Sequence, residues 1–123
     1  MPQEIDHNQI KSLSPINSLN SENIQDLIKK ISPEIVQSGH YIFKKGDTEK
    51  SHVYVLKGEV ELVENKKVLK VITAGTPEAL QPIAQNFPRS ASLRAKAVAV
   101  VIKVNSDMLD IMLTWDQTGS YSV

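Results

Sequence analysis

"HVYVLKGEVELVENKKVLKVITAGTP", residues His52 to Pro77, carries the reading of the fold. Val53 and Val55, then Val60 and Leu62, recur at every second position. That is the period of a strand with one buried face. Gly58 follows Lys57 and marks a tight turn between two strands. Glu64-Asn65-Lys66-Lys67 is a polar hairpin tip. Val68, Lys70 and Ile72, alternating with Leu69 and Val71, form a further strand that ends at Ala74-Gly75. Lys66, Lys67 and Lys70 read as a solvated hairpin face.

The same rhythm extends in both directions. Upstream, "EIVQSGHYIFKKGD" (Glu34 to Asp47) mixes β-branched and aromatic residues, bends at Gly39 and ends in Lys45-Gly46-Asp47. Downstream, "SLRAKAVAVVIKV" (Ser92 to Val104) reads as two strands with a break near Ala95-Lys96. Beyond the strands the period becomes helical. Ile24, Leu27, Ile28 and Ile31 make one apolar face, with Ser21 as the expected cap and Pro33 as the stop. Leu109, Met112 and Leu113 do the same behind Ser106 or Asp107 as cap. The expected organisation is a loose tail over 1–12, a domain over 13–114 and a second tail over 115–123. The domain holds a helix over 21–32, a β-roll over 35–104 and a helix over 106–114. Gly119, Ser120 and Ser122 argue against a long helical continuation. Trp115, near the chain end, is expected to pack on the domain or on a partner. Many short strands between turns predict an antiparallel sandwich or roll with helices at its ends.

Composition narrows the function. The 123 residues suit one domain, with 41% apolar and 23% charged residues. Fourteen basic residues balance fourteen acidic ones. Zero formal net charge argues against a nucleic-acid binder and against a polybasic membrane surface. The absence of cysteine removes disulfides, thiol nucleophiles and thiolate metal sites. The polar N-terminus has no apolar signal-peptide core, and the longest apolar stretch, Ala97 to Ile102, is too short for a bilayer. A cytoplasmic location is the expectation.

One segment breaks the strand rhythm. "GTPEALQPIAQNFPRSA" (Gly75 to Ala91) holds Pro77, Pro82 and Pro88, which exclude a central strand. "PEAL" reads as a short helical turn with proline at its first position. Arg89 then stands among small residues, Ser90 and Ala91, that let another body approach the backbone. Its planar fork of donors suits a phosphate or a carboxylate. Irregular segments on rigid scaffolds often carry function.

Three motifs in order, "GHYIFKKGD" (Gly39 to Asp47), "YVLKGEVEL" (Tyr54 to Leu62) and "PRSASLRAKAVAVVIKV" (Pro88 to Val104), resemble the cyclic nucleotide-binding domain family. Its members include bacterial catabolite-activator-type regulators, regulatory subunits of cyclic-nucleotide-dependent kinases and gated channels. The resemblance spans roughly residues 13–114. It implies a mainly β fold, an antiparallel double-stranded β-helix of jelly-roll type with flanking helices. It implies a regulatory sensor with cAMP or cGMP as small-molecule ligand, no other cofactor, and signalling by conformational change to a partner or an attached domain. In the family an arginine pairs with the cyclic phosphate, and a glutamate after a glycine takes the ribose hydroxyl. Carried over, Arg89, Ser90 and Ala91 match the end of that cassette, and Glu78, Ala79 and Leu80 match its front.

The front departs from the family pattern. Pro77 stands where the family has glycine and brings no N–H donor. Glu78 aligns with the ribose-binding glutamate only across a longer loop; an ungapped comparison puts Ala79 or Leu80 there. Each lost contact is worth about 1–3 kcal/mol. A second reading therefore stands beside the sensor: a nucleotide-independent relative acting as a protein-interaction or dimerisation module, with a protein partner or a second copy. In that reading Arg89 braces its loop, pairing with a carboxylate such as Glu78. A third reading keeps the pocket for another anion. His40 and His52 read as strand-end histidines, without companions for a metal site. No nucleophile elbow, P-loop or dinucleotide fingerprint is present, so no catalytic residue is expected.

Overall fold

The computed structural model describes residues 6–83 and 89–118. Among the described residues seven strands form two antiparallel sheets. They are β1 (Glu34–Val36), β2 (Tyr41–Phe43), β3 (Ser51–Lys57), β4 (Glu59–Glu64), β5 (Lys67–Thr73), β6 (Ser92–Ala95) and β7 (Ala99–Asn105). One sheet has the order β1-β7-β3 and the other β2-β6-β4-β5. The helices are α1 (His7–Lys11), α2 (Ser21–Lys30) and α3 (Ser106–Thr118). None among the described residues is long and apolar enough to cross a membrane.

The pair β3–β7 is buried on both faces. Val53, Val55, Ala99 and Val101 face the interior of the roll with Val60, Ile72 and Leu93. Tyr54, Leu56, Val100, Ile102 and Val104 face the helices and meet Leu27, Ile28 and Leu109. Strand alternation does the sorting: neighbouring residues point to opposite faces. With both faces covered, the strands read as near-continuous apolar runs, as "VYVL" and "AVVI" do. Each large aliphatic side chain buried this way contributes about 1.5–3 kcal/mol.

Gly58 does not turn a hairpin. β3 and β4 lie in different sheets, and Gly58 is the corner where the chain crosses between them. The break after Ala95 is a second corner, from β6 to β7. The two corners stack. A Cβ on Gly58 would stand 2.3 Å from the Val98 carbonyl oxygen and 2.9 Å from Ala99 Cα, and φ there is +81°. The hairpin expected at Glu64 to Lys67 is present: Glu64 pairs with Lys67, and Asn65 and Lys66 both adopt positive φ. Those are the angles of a type I′ turn.

The helices begin one residue earlier in their capping than the sequence reading has it. Asn20, not Ser21, caps α2, accepting from the Asn23 N–H at 2.8 Å. Asn105, not Ser106 or Asp107, accepts from the Met108 N–H at 2.8 Å. In both an asparagine precedes the serine, and its longer acceptor arm takes the cap. α2 ends at Lys30 rather than 32, and α3 runs on to Thr118, past the expected limit at 114. The side chain of Trp115 and residues 119–123 lie outside the described part. Residues 6–12 are not a loose tail. Asp6 caps α1 by accepting from the Asn8 and Gln9 N–H groups, and Ile10 is fully buried. Gln9 Nε2 donates to the Leu56 carbonyl at 2.8 Å, and the Tyr54 hydroxyl donates to the Ser14 carbonyl at 2.8 Å. Burial pushes the pKa of Tyr54 up.

Gly58→Ala is expected to destabilise the fold by at least about 2 kcal/mol, combining a clash with backbone and strain at positive φ. Urea unfolding measures this; a loss under about 0.5 kcal/mol, the range of neutral surface changes, contradicts the stacked-corner account.

Candidate functional site

The turn Lys44–Asp47 builds the cradle of Arg89. Lys44 N–H donates to Asp47 Oδ2 at 2.9 Å, and Asp47 N–H returns to the Lys44 carbonyl at 3.0 Å. Gly46 takes a φ of +93°, which glycine supplies without strain. Its N–H donates to the Arg89 carbonyl at 2.8 Å, while the Arg89 N–H donates to the Asp47 carbonyl at 3.0 Å. Lys45 N–H adds a bond to Ser92 Oγ at 2.9 Å. So the glycine-aspartate turn grips the backbone of Arg89 and of the strand that follows it.

The side chain of Arg89 points inward. It is only 3% exposed. Its guanidinium carbon stands 4.2 Å from the centroid of the Phe43 ring, and Nη2 donates to the Ser51 carbonyl. A desolvated guanidinium over an aromatic face gains roughly 2 kcal/mol. Burial pushes the Arg89 pKa down, and the carboxylates of Glu49 and Asp47 oppose that shift. The group stays charged in any case. The surrounding cleft is lined by Phe43, Asp47, Glu49, Ser51 and Lys103, among others, and its open volume is about 20 Å³. That is of the order of one water molecule, far below the roughly 300–1,000 Å³ of small-molecule pockets.

The cassette front lies elsewhere. Pro77–Leu80 forms the short helical turn expected of "PEAL", here of 3-10 type with proline at its start. Ala79 is buried in the roll core at 3% exposure. Glu78 Oε2 lies 2.9 Å from Lys70 Nζ, with both side chains about half exposed. An exposed pair of this kind is worth about 0–1 kcal/mol. Lys70 is thus engaged rather than simply solvated. Leu80 is exposed, and its carbonyl accepts from the Ser14 N–H at 2.7 Å. A groove of about 280 Å³ separates this turn from α1, lined by Gln9, Leu13, Thr76, Pro77 and Leu80 among others.

The six residues singled out from the sequence therefore divide. Arg89 and Ala91 are buried beside the Lys44–Asp47 turn, and Ser90 is exposed there. Glu78, Ala79 and Leu80 sit on the other turn, and the Arg89 guanidinium contacts Phe43 and Ser51. Residues 84–88, which join the two halves, lie outside the described part. Phe43, Glu49, Ser51 and Lys103 were not singled out as site residues. The sequence signal for Lys103 is its interruption of the apolar run "VVIKV". Glu61 and Arg94 form a second pair, Oε1 to Nε at 2.6 Å, across the β4–β6 register. Hydrogen bonds that Arg94 makes to Glu61 and Tyr41 raise its pKa.

Comparison with known proteins decides the family. A model of the cyclic nucleotide-binding domain matches residues 33–114. The chain belongs to the cyclic nucleotide-binding domain family. Among solved structures it is similar to the sensor domain of the transcriptional regulator DNR from Pseudomonas aeruginosa, at TM-score 0.75 and 15% identity, covering 94% of this chain and 81% of that one. A second solved structure, from Geobacter metallireducens, gives 0.64 at 17% identity, covering 94% of this chain and 95% of that one. The regulatory domain of Toxoplasma gondii PKA, crystallised with cAMP, gives 0.65 at 19% identity, covering 89% of this chain and 46% of that one. These likenesses show the β-roll fold expected of the family. Among curated proteins no match was found.

His52, on the helix-facing side of β3, is half-buried, and its Nδ1 has no hydrogen-bond partner among the described residues. Burial pushes its pKa down, Asp110 raises it and Arg89 lowers it. The folded chain therefore binds fewer protons than the unfolded chain below the ordinary histidine value of about 6.5. Stability attributable to His52 is present above that value and is lost as pH falls through the folded pKa. Between about pH 7 and pH 5, urea midpoints of the wild type are expected to fall faster than those of His52→Gln. Parallel profiles contradict the assignment.

Proposed function

We propose that this domain is a non-enzymatic regulatory module that transmits its signal through its surface, with Arg89 serving as an internal strut. One observation carries the reading. The arginine that the family turns to the cyclic phosphate is spent inside this chain, on the Phe43 face and the Ser51 carbonyl. The cassette front supports it: Ala79 fills the roll core, Glu78 pairs with Lys70, and Pro77 offers no N–H. A nucleotide at Arg89 would have to displace a cation–π contact and a charge-assisted hydrogen bond. Such a charge-assisted bond alone is worth about 1.5–3 kcal/mol. On this reading the output is recognised by a protein partner, as a fixed surface of the roll and its helices.

A second reading is favoured by the run Arg89-Ser90-Ala91 itself, which keeps the order of the family's phosphate-binding end. In that reading the domain senses cAMP or cGMP, and Arg89 leaves Phe43 when the ligand arrives. The two readings separate in one experiment. Calorimetric titration with cAMP and cGMP at about 1 mM, enough to detect binding of millimolar Kd, is expected to give no heat. Arg89→Met is expected to lower stability by about 1–3 kcal/mol, because the Ser51 carbonyl loses its buried donor. Micromolar binding that vanishes in Arg89→Met establishes the sensor and overturns the strut.

A further inference from the structure

Next to the Arg89 cleft, and sharing Glu49, Ser51 and Lys103 with it, a larger concavity of about 340 Å³ opens where the end of α2 meets the β3 and β7 ends. Three lysines converge on it. Lys30 closes α2, Lys50 immediately precedes β3, and Lys103 lies near the end of β7. The Lys50 carbonyl accepts from the Ser106 N–H at 3.1 Å, which ties it to the first residue of α3. Lys103 pairs with Val53 and shares the inward face of β7 with Ala99 and Val101, both fully buried. A lysine there extends the lining of an apolar strand face with a cation. Among the described residues none of the three lysines forms an ion pair.

The chemistry of the groove selects its ligand. Three lysines face one acid, Glu49, an excess of positive charge. The N-terminus of α3, a helix of 13 residues, adds potential of the same sign. Lysines that line one groove and have no ion pair among the described residues suit a phosphate. Glu49 on the wall and the zero net charge of the chain oppose an extended polyanion such as nucleic acid. Ile31 and Met108 give the groove apolar contact for an organic body. The volume falls at the lower end of small-molecule sites, roughly 300–1,000 Å³. We infer that this groove binds a small organic phosphate, with the phosphate on Lys30, Lys50 and Lys103 and the organic body on Ile31 and Met108. The groove adjoins the Arg89 cleft, sharing Glu49, Ser51 and Lys103 with it, but it does not use the Arg89 guanidinium.

The probe is phenyl phosphate, titrated into the full chain and followed by backbone amide NMR, with phenol as the uncharged control. Saturable shifts are expected at the amides of Lys50, Ser106 and Asp107, with none for phenol. Lys30 and Lys50 are exposed, so Lys30→Gln/Lys50→Gln is expected to keep the fold and weaken binding about tenfold. Lys103→Gln is expected to weaken it similarly. Shifts that do not saturate, that appear equally at Lys66 and Lys67, or that persist in the double variant overturn the site. So does binding to phosphatidylserine vesicles without a response to phenyl phosphate, which would assign the lysines to a lipid surface. A cAMP titration that moves Arg89 and Ser90 amides would overturn the strut reading and leave this groove standing.

Discussion

The antiparallel pair β3–β7 is the wall on which the rest of the structure leans. Its inner face fills the roll and its outer face seats the helices, so each strand contributes to two cores at once. Covering both faces constrains the ends of the pair. At one end the chain must leave each strand and cross to the other sheet in the same small space, which is why the Gly58 corner and the Val98 corner touch. At the other end, Ser51 presents its carbonyl to Arg89, and Asn105 caps α3. The wall thus links the candidate site to the helices within a few residues.

That link gives the site its character. Arg89 is held from both sides: its backbone by the Lys44–Asp47 turn, its guanidinium by Phe43 and the start of β3. Burying a guanidinium is costly unless its donors and its charge are answered. Here the Phe43 face and the Ser51 carbonyl answer part of that cost, and the charges of Glu49 and Asp47 favour the cation. In the proposed reading an arginine so placed stabilises the junction of two sheets. The cassette front is part of the core through Ala79, and the Leu80 carbonyl ties it to Ser14. On the proposed reading, family membership and fold coexist with an arginine that works inside the chain.

Much of this was legible in the residues. The strands, the Asn65-Lys66 hairpin and the "PEAL" turn follow from period and from proline, which act locally. What escaped depends on pairing across the fold. Nothing within "VLKGEV" distinguishes a hairpin from a corner, because the difference lies in which sheet receives β4. The caps slipped by one residue because "NSE" and "NSD" each offer two good capping side chains. α1 was missed because its one buried residue, Ile10, makes no period by itself. Arg89 could be picked out by its neighbours, but not the direction of its side chain, which Phe43 and Ser51 set from distant strands. Lys70 and Glu78, like Glu61 and Arg94, became partners only through the folding of β5 and the register of β4 with β6.

The most direct test of the central claim observes the Arg89 guanidinium itself. Side-chain NMR of the Arg89 Nη protons, read with and without saturating cAMP, reports whether the group is locked or available. An internal strut predicts slowly exchanging Nη resonances, shifted by the Phe43 ring and unmoved by the nucleotide. A rapidly exchanging guanidinium whose resonances move with cAMP would contradict the account and restore Arg89 to the phosphate.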